Sequence, residues 1–195
     1  PNSFPAKLLQ VLLARFEAGL PGLTILPCEL IEHNASRLRG IVLGLGELWG
    51  TAPVFLRWAA RECSWHENLV DRIVTGKPDE HPLLDEDPLA VACEPFALFA
   101  IEKVDGKLDL FSHPAIRPVT DVTPYALRKV RILNGAHTAL VAKALPAGFQ
   151  TVREAVEDSE LGSWLRELLF QEIVPTVSGR VDDAEGFARE VLERF

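Results

Sequence analysis

The amino-acid sequence predicts an α/β region followed by a mostly helical one. Over the first 75 or so residues, short apolar runs at residues 23–27 and 69–74 alternate with stretches whose apolar residues recur at helical spacing. From Thr123-Pro124 onward the spacing is helical to the end of the chain. Between the two lies an acidic, proline-rich stretch at residues 79–88, which reads as a solvated linker and puts a domain boundary near residue 85.

Taken in order, Ser3-Phe4-Pro5 opens a helix, with Ser3 as its cap and Pro5 in its first turn. Leu8, Leu9, Leu12, Leu13 and Phe16 form its apolar face, and Gly19 to Gly22 end it. Residues 23–27 form a short buried strand closed by Pro27. Asn34 or Ser36 caps the next helix, along which Leu38, Ile41, Val42, Leu45, Leu48 and Trp49 recur. Pro53 starts a further helix through Trp58 and Arg61, and residues 69–74 read as a strand. A hairpin is expected from residues 96–104 and 108–111, turning at Asp105-Gly106. Helices then follow at about 124–144, 150–157, 160–174 and 182–195, with Asp182 and Asp183 as caps for the last.

Composition narrows the function. A length of 195 residues with 48% apolar and 25% charged residues suits a soluble globular protein with a real core. The net charge of -8, with no Lys/Arg-rich run, argues against nucleic acid as a partner. No apolar run approaches the roughly 20 residues of a membrane helix, and no secretory leader opens the chain, so a cytoplasmic location is expected. Pro1 rather than Met begins the sequence, which leaves room for a natural N-terminus upstream. Cys28, Cys63 and Cys93 are odd in number and widely spaced; they read as reduced, mostly buried thiols. The five histidines are scattered, so no metal site is expected.

Gly44-Leu45-Gly46-Glu47-Leu48-Trp49-Gly50 resembles a dinucleotide-binding glycine loop only in composition. Such a loop must follow a strand and open a helix, because its amides and the helix N-terminus hold the pyrophosphate. Here the glycines fall late in a helical pattern.

Chemistry concentrates in Lys129-Val130-Arg131-Ile132-Leu133-Asn134-Gly135-Ala136-His137. On a regular helix at about 100° per residue, His137 lies about 80° from Lys129, and Lys129, Asn134 and His137 can border one cavity. A lysine there would have its pKa lowered by desolvation, as suits general acid/base work on a carbonyl or alcohol. An asparagine amide can donate to a developing alkoxide, and an imidazole can orient a substrate hydroxyl. Asn134-Gly135 could break the helix locally and turn the amide inward. The residues alone also allow a plainer reading: a solvated Lys129, a helix-breaking Asn134-Gly135 and a partly buried His137.

Lys-x4-Asn-x2-His resembles the active-site pattern of the mannitol dehydrogenase family, the long-chain polyol dehydrogenases. Ser3-Phe4-Pro5-Ala6-Lys7-Leu8, Ile25-Leu26-Pro27-Cys28-Glu29-Leu30-Ile31, Asp71-Arg72-Ile73, Glu94-Pro95-Phe96 and Thr151-Val152-Arg153-Glu154-Ala155 are similar to family segments in the same order. The wording Asn134-Gly135-Ala136-His137-Thr138-Ala139 leans to the tagaturonate reductase branch.

The resemblance implies a fold and a set of roles. Residues 1–85 would be the C-terminal part of a Rossmann-like dinucleotide domain, and residues 86–195 the first part of a helical substrate domain. Lys129 would be the general acid/base, Asn134 and Asn34 would stabilise the oxyanion, and His137 would orient the substrate. Asp71 and Arg72 would line the cofactor cleft, with an ion pair or cap as the alternative for Asp71; Glu94 would be structural. NAD would be the cofactor and a small sugar acid the substrate. Fructuronate reductases and mannitol 2-dehydrogenases share the chemistry and stand as alternatives.

Two departures from the family pattern stand out. Ala126 occupies the position, three before the lysine, where some members carry an acidic proton relay. Family members also run more than twice this length and open with a glycine-rich loop. Pro1 would therefore enter late in the nucleotide domain, and Phe195 would stop midway through the helical one. A chain so cut could be catalytically inactive, a binding or scaffold fragment that self-associates through its exposed faces.

Overall fold

The computed structural model describes residues 2–104 and 112–195. In chain order the elements are α1 (Phe4–Glu17), β1 (Thr24–Ile25), α2 (Asn34–Leu48), α3 (Pro53–Arg61), β2 (Ser64–Trp65), β3 (Asn68–Asp71), β4 (Val74–Gly76), β5 (Ala92–Cys93), β6 (Leu98–Glu102) and β7 (Ile116–Val119). The helical part follows: α4 (Thr123–Arg128), a π-helical turn (Lys129–Asn134), α5 (Gly135–Ala144), α6 (Val152–Glu157), α7 (Ser159–Glu167), a second π-helical turn (Leu168–Ile173), α8 (Val174–Val177) and α9 (Ala184–Arg194). The hairpin expected at Asp105-Gly106, with its second strand at 108–111, lies outside the described residues.

Two compact units result, and neither ends near residue 85. One comprises Pro1–Val70 with Ala97–Val122, the other Asp71–Phe96 with Thr123–Phe195. The stretch expected to be a linker is solvated, as its composition requires, but it lies wholly inside the second unit and carries a single 3-10 turn at Pro82–Leu84.

In the first unit, β1 and β2 pair in parallel, joined by the α2–α3 crossover that a parallel pair needs. A second sheet has the order β3-β6-β7, with β6 and β7 parallel. Pro118 lacks the N–H of an inner strand, and β7 accordingly takes the sheet edge. Leu9, Leu12, Val42 and Phe55 are wholly buried at the centre of the core, with Ile25, Leu38, Cys63 and Trp65 around them. Gly22 permits a close approach there, because a Cβ would stand 1.9 Å from the Glu62 carbonyl oxygen. Gly44 and Gly46 lie inside α2, which excludes a phosphate-binding loop at that position.

Of the three thiols only Cys63 is buried, which corrects the expectation that most would be. Cys28 follows the loop proline and Cys93 lies in the short β5, and both are exposed.

In the second unit the helices pack around Ile132, Leu140, Leu165, Leu169, Phe187 and Val191. Thr151 and Glu154 form a reciprocal capping box at the start of α6. Asp183 caps α9 by accepting the Gly186 N–H, in accord with the sequence. Ser3 does not cap α1 with its side chain, and Asn34 does not cap α2. The single strand expected over 69–74 is two. It breaks at Arg72-Ile73, where the Ile73 N–H goes to the Glu94 carboxylate (2.6 Å) instead of a neighbouring strand.

Leu165 is fully buried, so Leu165→Ala is expected to cost about 2–5 kcal/mol in urea unfolding. Leu48 is 82% exposed, and Leu48→Ala should stay within about 0.5 kcal/mol. Equal effects at the two positions would contradict this core assignment.

Candidate active site around Lys129

Lys129 opens the π-helical turn that joins α4 to α5. Such a turn hydrogen-bonds i to i+5 and carries one residue more than an α turn, a feature that recurs at functional sites. The chain stays helical through Gly135 (φ -62, ψ -47), so Asn134-Gly135 does not break it. Beyond the turn, side chains leave the phase that 3.6-residue counting gives. The outcome differs from the regular-helix expectation: Lys129 is buried at 8% exposure, whereas Asn134 and His137 are exposed. The His137 ring meets the Phe195 ring edge-on, with centroids 6.1 Å apart.

Burial pushes the Lys129 ammonium below its ordinary pKa; nearby Asp71 opposes the shift and Arg194 adds to it. A cation in this place is therefore readier to release its proton than a surface lysine. Its neighbours form a compact charge cluster. Arg194 presents two forks: Nε and Nη2 to the Glu94 carboxylate (2.9 and 2.8 Å), and Nη2 and Nη1 to that of Asp71 (2.9 and 3.3 Å). The guanidinium also lies 4.2 Å from the Phe96 ring centre. Asp71 is 1% exposed and Arg194 8%, so this is a buried ion pair. Arg72 is exposed and donates from Nε to the Glu94 carbonyl (3.0 Å).

Asp71 thus makes the contacts of the ion-pair alternative, and Glu94 holds Arg194 and the strand break together. Arg194 escaped the sequence reading, since nothing local distinguishes it from other arginines at a helix end. A depression of about 380 Å³ is lined by Glu94, Pro95, Phe96, Glu190, Glu193 and Arg194. Its carboxylates and already engaged guanidinium suit an anionic ligand poorly, and none of the four expected catalytic residues lines it.

Asn34 belongs to the other compact unit. It is buried at 2% exposure, and its amide donates to the Glu29 carbonyl (3.1 Å) and the Asn68 carbonyl (2.9 Å). Its oxygen accepts the Asn68 N–H at 3.3 Å. With both N–H groups engaged, Asn34 can serve an oxyanion only by exchanging one of these partners.

Comparison with known proteins gives the geometry its lineage. The mannitol dehydrogenase Rossmann domain matches residues 1–111, and the mannitol dehydrogenase C-terminal domain matches residues 121–195. The chain belongs to the mannitol dehydrogenase family. Altronate oxidoreductase from Escherichia coli O7:K1 is 40% identical over 207 residues, covering 99% of this chain and 43% of that protein. The Klebsiella pneumoniae (strain 342) altronate oxidoreductase is 39% identical over 209 residues, again with 43% of its length covered. The chain therefore spans less than half the length of these relatives. Among solved structures, a substrate-free D-sorbitol dehydrogenase superposes with a TM-score of 0.77 at 26% identity, over 100% of this chain and 41% of that one. Pseudomonas fluorescens mannitol 2-dehydrogenase, in a ternary complex with NAD and D-mannitol, gives 0.74 at 26% identity with the same coverage. In this family member, a Rossmann-type portion precedes a helical one, as the sequence predicted.

Two outcomes test the cluster. Arg194→Ala would leave buried Asp71 and Glu94 without their cation, at an expected cost of about 3–5 kcal/mol in chemical denaturation; a loss under about 1 kcal/mol would contradict the burial. The second concerns pH. A lysine whose folded pKa is depressed opposes folding below that pKa, and the penalty fades as pH rises toward its ordinary 10.5. Lys129→Met should therefore melt above the parent at pH 7, with the gap closing as pH approaches 10.5. A gap constant across that range would rule out the shift.

Proposed function

We propose that this chain is the proton-handling part of an NAD-dependent sugar-acid oxidoreductase that reduces D-tagaturonate to D-altronate. The observation that carries the reading is the 40% identity to altronate oxidoreductase across 99% of the chain, against 26% to the sorbitol and mannitol enzymes. Its physical support is Lys129, a buried lysine whose proton is loosened by its surroundings.

NAD, when bound, supplies and takes up hydride. The donor set here fits that chemistry, since the hydride and the proton have separate origins and Lys129 need manage only the proton. The pyrophosphate is another matter. Among the described residues, the glycine-rich stretch lies inside α2, and the Ala35 and Ser36 amides at the start of that helix are already taken by Glu67. No pyrophosphate cradle is assigned to them.

Lys129 donates its proton to the alkoxide oxygen as the carbonyl is reduced and recovers it from solvent. With Ala126 in place of an acidic relay, that recovery does not pass through residue 126. Asn134 donates its amide to the oxyanion. Asn34 takes an oxyanion-stabilising role only once one of its backbone partners is exchanged. His137 orients a substrate hydroxyl. Asp71 acts by holding Arg194 and favouring the ammonium of Lys129, and Arg72 by bracing Glu94. A cytoplasmic location belongs to the same reading.

A second reading has its own observation. Leu48 and Leu89 are 82% and 85% exposed and Trp49 46%, which suits a piece that binds another chain and has no activity alone.

The test is NADH oxidation with D-tagaturonate, with D-fructuronate and D-fructose run in parallel. Turnover fastest with tagaturonate is expected, and Lys129→Ala should lower it about 10²–10⁴-fold. Near-normal turnover in Lys129→Ala would remove its role as proton donor. Preference for fructuronate or fructose would reassign the substrate, and no turnover with any of the three would favour the second reading.

A further inference from the structure

Helix α2 begins without a cap of its own. His33 precedes it in the left-handed region (φ 54, ψ 46), a conformation unfavourable for a residue with a Cβ, and its side chain caps nothing. The first N–H groups of a helix need partners, and these find theirs far along the chain. Glu67 accepts the Ala35 N–H (3.0 Å) on one carboxylate oxygen and the Ser36 N–H (2.9 Å) on the other, and the Ser36 hydroxyl donates to that second oxygen as well. The carboxylate also complements the positive end of the helix dipole.

The contact is reciprocal. Glu67 reaches across to the backbone of residues 35 and 36, while the Asn34 side chain reaches back to the backbone of Asn68, donating to its carbonyl and accepting its N–H. Adjacent residues on each strand of the clasp thus exchange side chain for backbone. The clasp is anchored in turn, because the Glu67 carbonyl accepts the Glu102 N–H at 2.8 Å and ties it to the β6 end of the sheet. Asn68 adds a donor to the His66 carbonyl (3.0 Å). Every one of these groups lies within the first compact unit.

We infer that Glu67 is the positioning residue for Asn34: its carboxylate fixes the first turn of α2 and so sets where the Asn34 amide points. A neutral residue of the same shape can accept with only one oxygen, and alanine with none. The catalytic consequence rests on the proposed oxyanion role of Asn34; the positioning itself does not.

The experiment uses the 195-residue chain and two variants, Glu67→Ala and Glu67→Gln, with the Asn34 side-chain amide followed by ¹H–¹⁵N NMR and assigned by its disappearance in Asn34→Asp. Glu67→Ala should move or broaden the Asn34 side-chain signals and speed hydrogen exchange at Ala35 and Ser36 about tenfold. Glu67→Gln should sit between alanine and the parent, a partial rescue that loss of general stability would not produce. Unchanged Asn34 signals in Glu67→Ala overturn the inference. Should that variant not fold, Glu67→Gln decides alone, and parental exchange at both amides overturns it. Turnover of D-tagaturonate forms a separate arm. A fall of about tenfold in kcat with KM little changed is expected if Asn34 serves the oxyanion. Perturbed Asn34 signals with parental kcat would remove Asn34 from the catalytic set and leave its positioning by Glu67 intact.

Discussion

The second unit is organised around one guanidinium. Arg194 engages Glu94 and Asp71, partners 100 and 123 residues away in sequence, through paired contacts on both sides. Two carboxylates share that cation, and burying them is tolerable because the planar fork matches both acceptors and the Lys129 ammonium stands near Asp71. Further structure follows from this arrangement. Glu94 is held so that it can take the Ile73 N–H, which ends the strand, and its carbonyl takes the Arg72 side chain. Phe96 covers the face of the guanidinium. Asp71, residues 94–96 and the last turn of α9, all of the second unit, thereby share one fixed point.

That fixed point also sets the electrostatic surroundings of Lys129. Asp71 favours its ammonium and Arg194 disfavours it, so the cluster contributes terms of both signs and burial decides the direction. A lone carboxylate in the same place would oppose the effect of burial more strongly. Pairing that carboxylate to an arginine blunts its pull. The ion pair thus shapes the proton equilibrium of a neighbouring residue.

How much of this was legible in the sequence depended on the distance over which each determinant acts. The helices of the second unit follow from apolar spacing and local caps, and the structure returns them nearly as read, with Asp183 capping α9; the Thr151–Glu154 box that opens α6 was not singled out in the sequence. The family pattern singled out Lys129, Asn134 and His137 by spacing. It could not foresee that a π turn buries the first and exposes the others, because a wide turn leaves no local mark in residue type. Glu67 and Arg194 were invisible for a different reason. Each acts on partners 31 or more residues away, and a glutamate or arginine destined for such a contact looks like any solvated one. The broken strand at Arg72-Ile73 belongs here too, since the group that ends it is a carboxylate 21 residues on. Strand β7 was missed because its proline argues against a strand unless its edge position is known.

The six-residue π turn from Lys129 to Asn134 fixes a phase as well as a place. Deleting any one of its residues would let the helix close into ordinary α turns without breaking. All of its hydrogen bonds would still be made, so the chain would fold with little complaint. Everything before and after would keep nearly the same phase, because six residues of π turn wind about as far as five of α. Winding all six as α turns would instead carry Asn134 and His137 about 100° further round relative to Lys129. Spacing and winding in this stretch are therefore matched, and a relative one residue shorter between the lysine and the asparagine would present a similar surface on a plain α-helix.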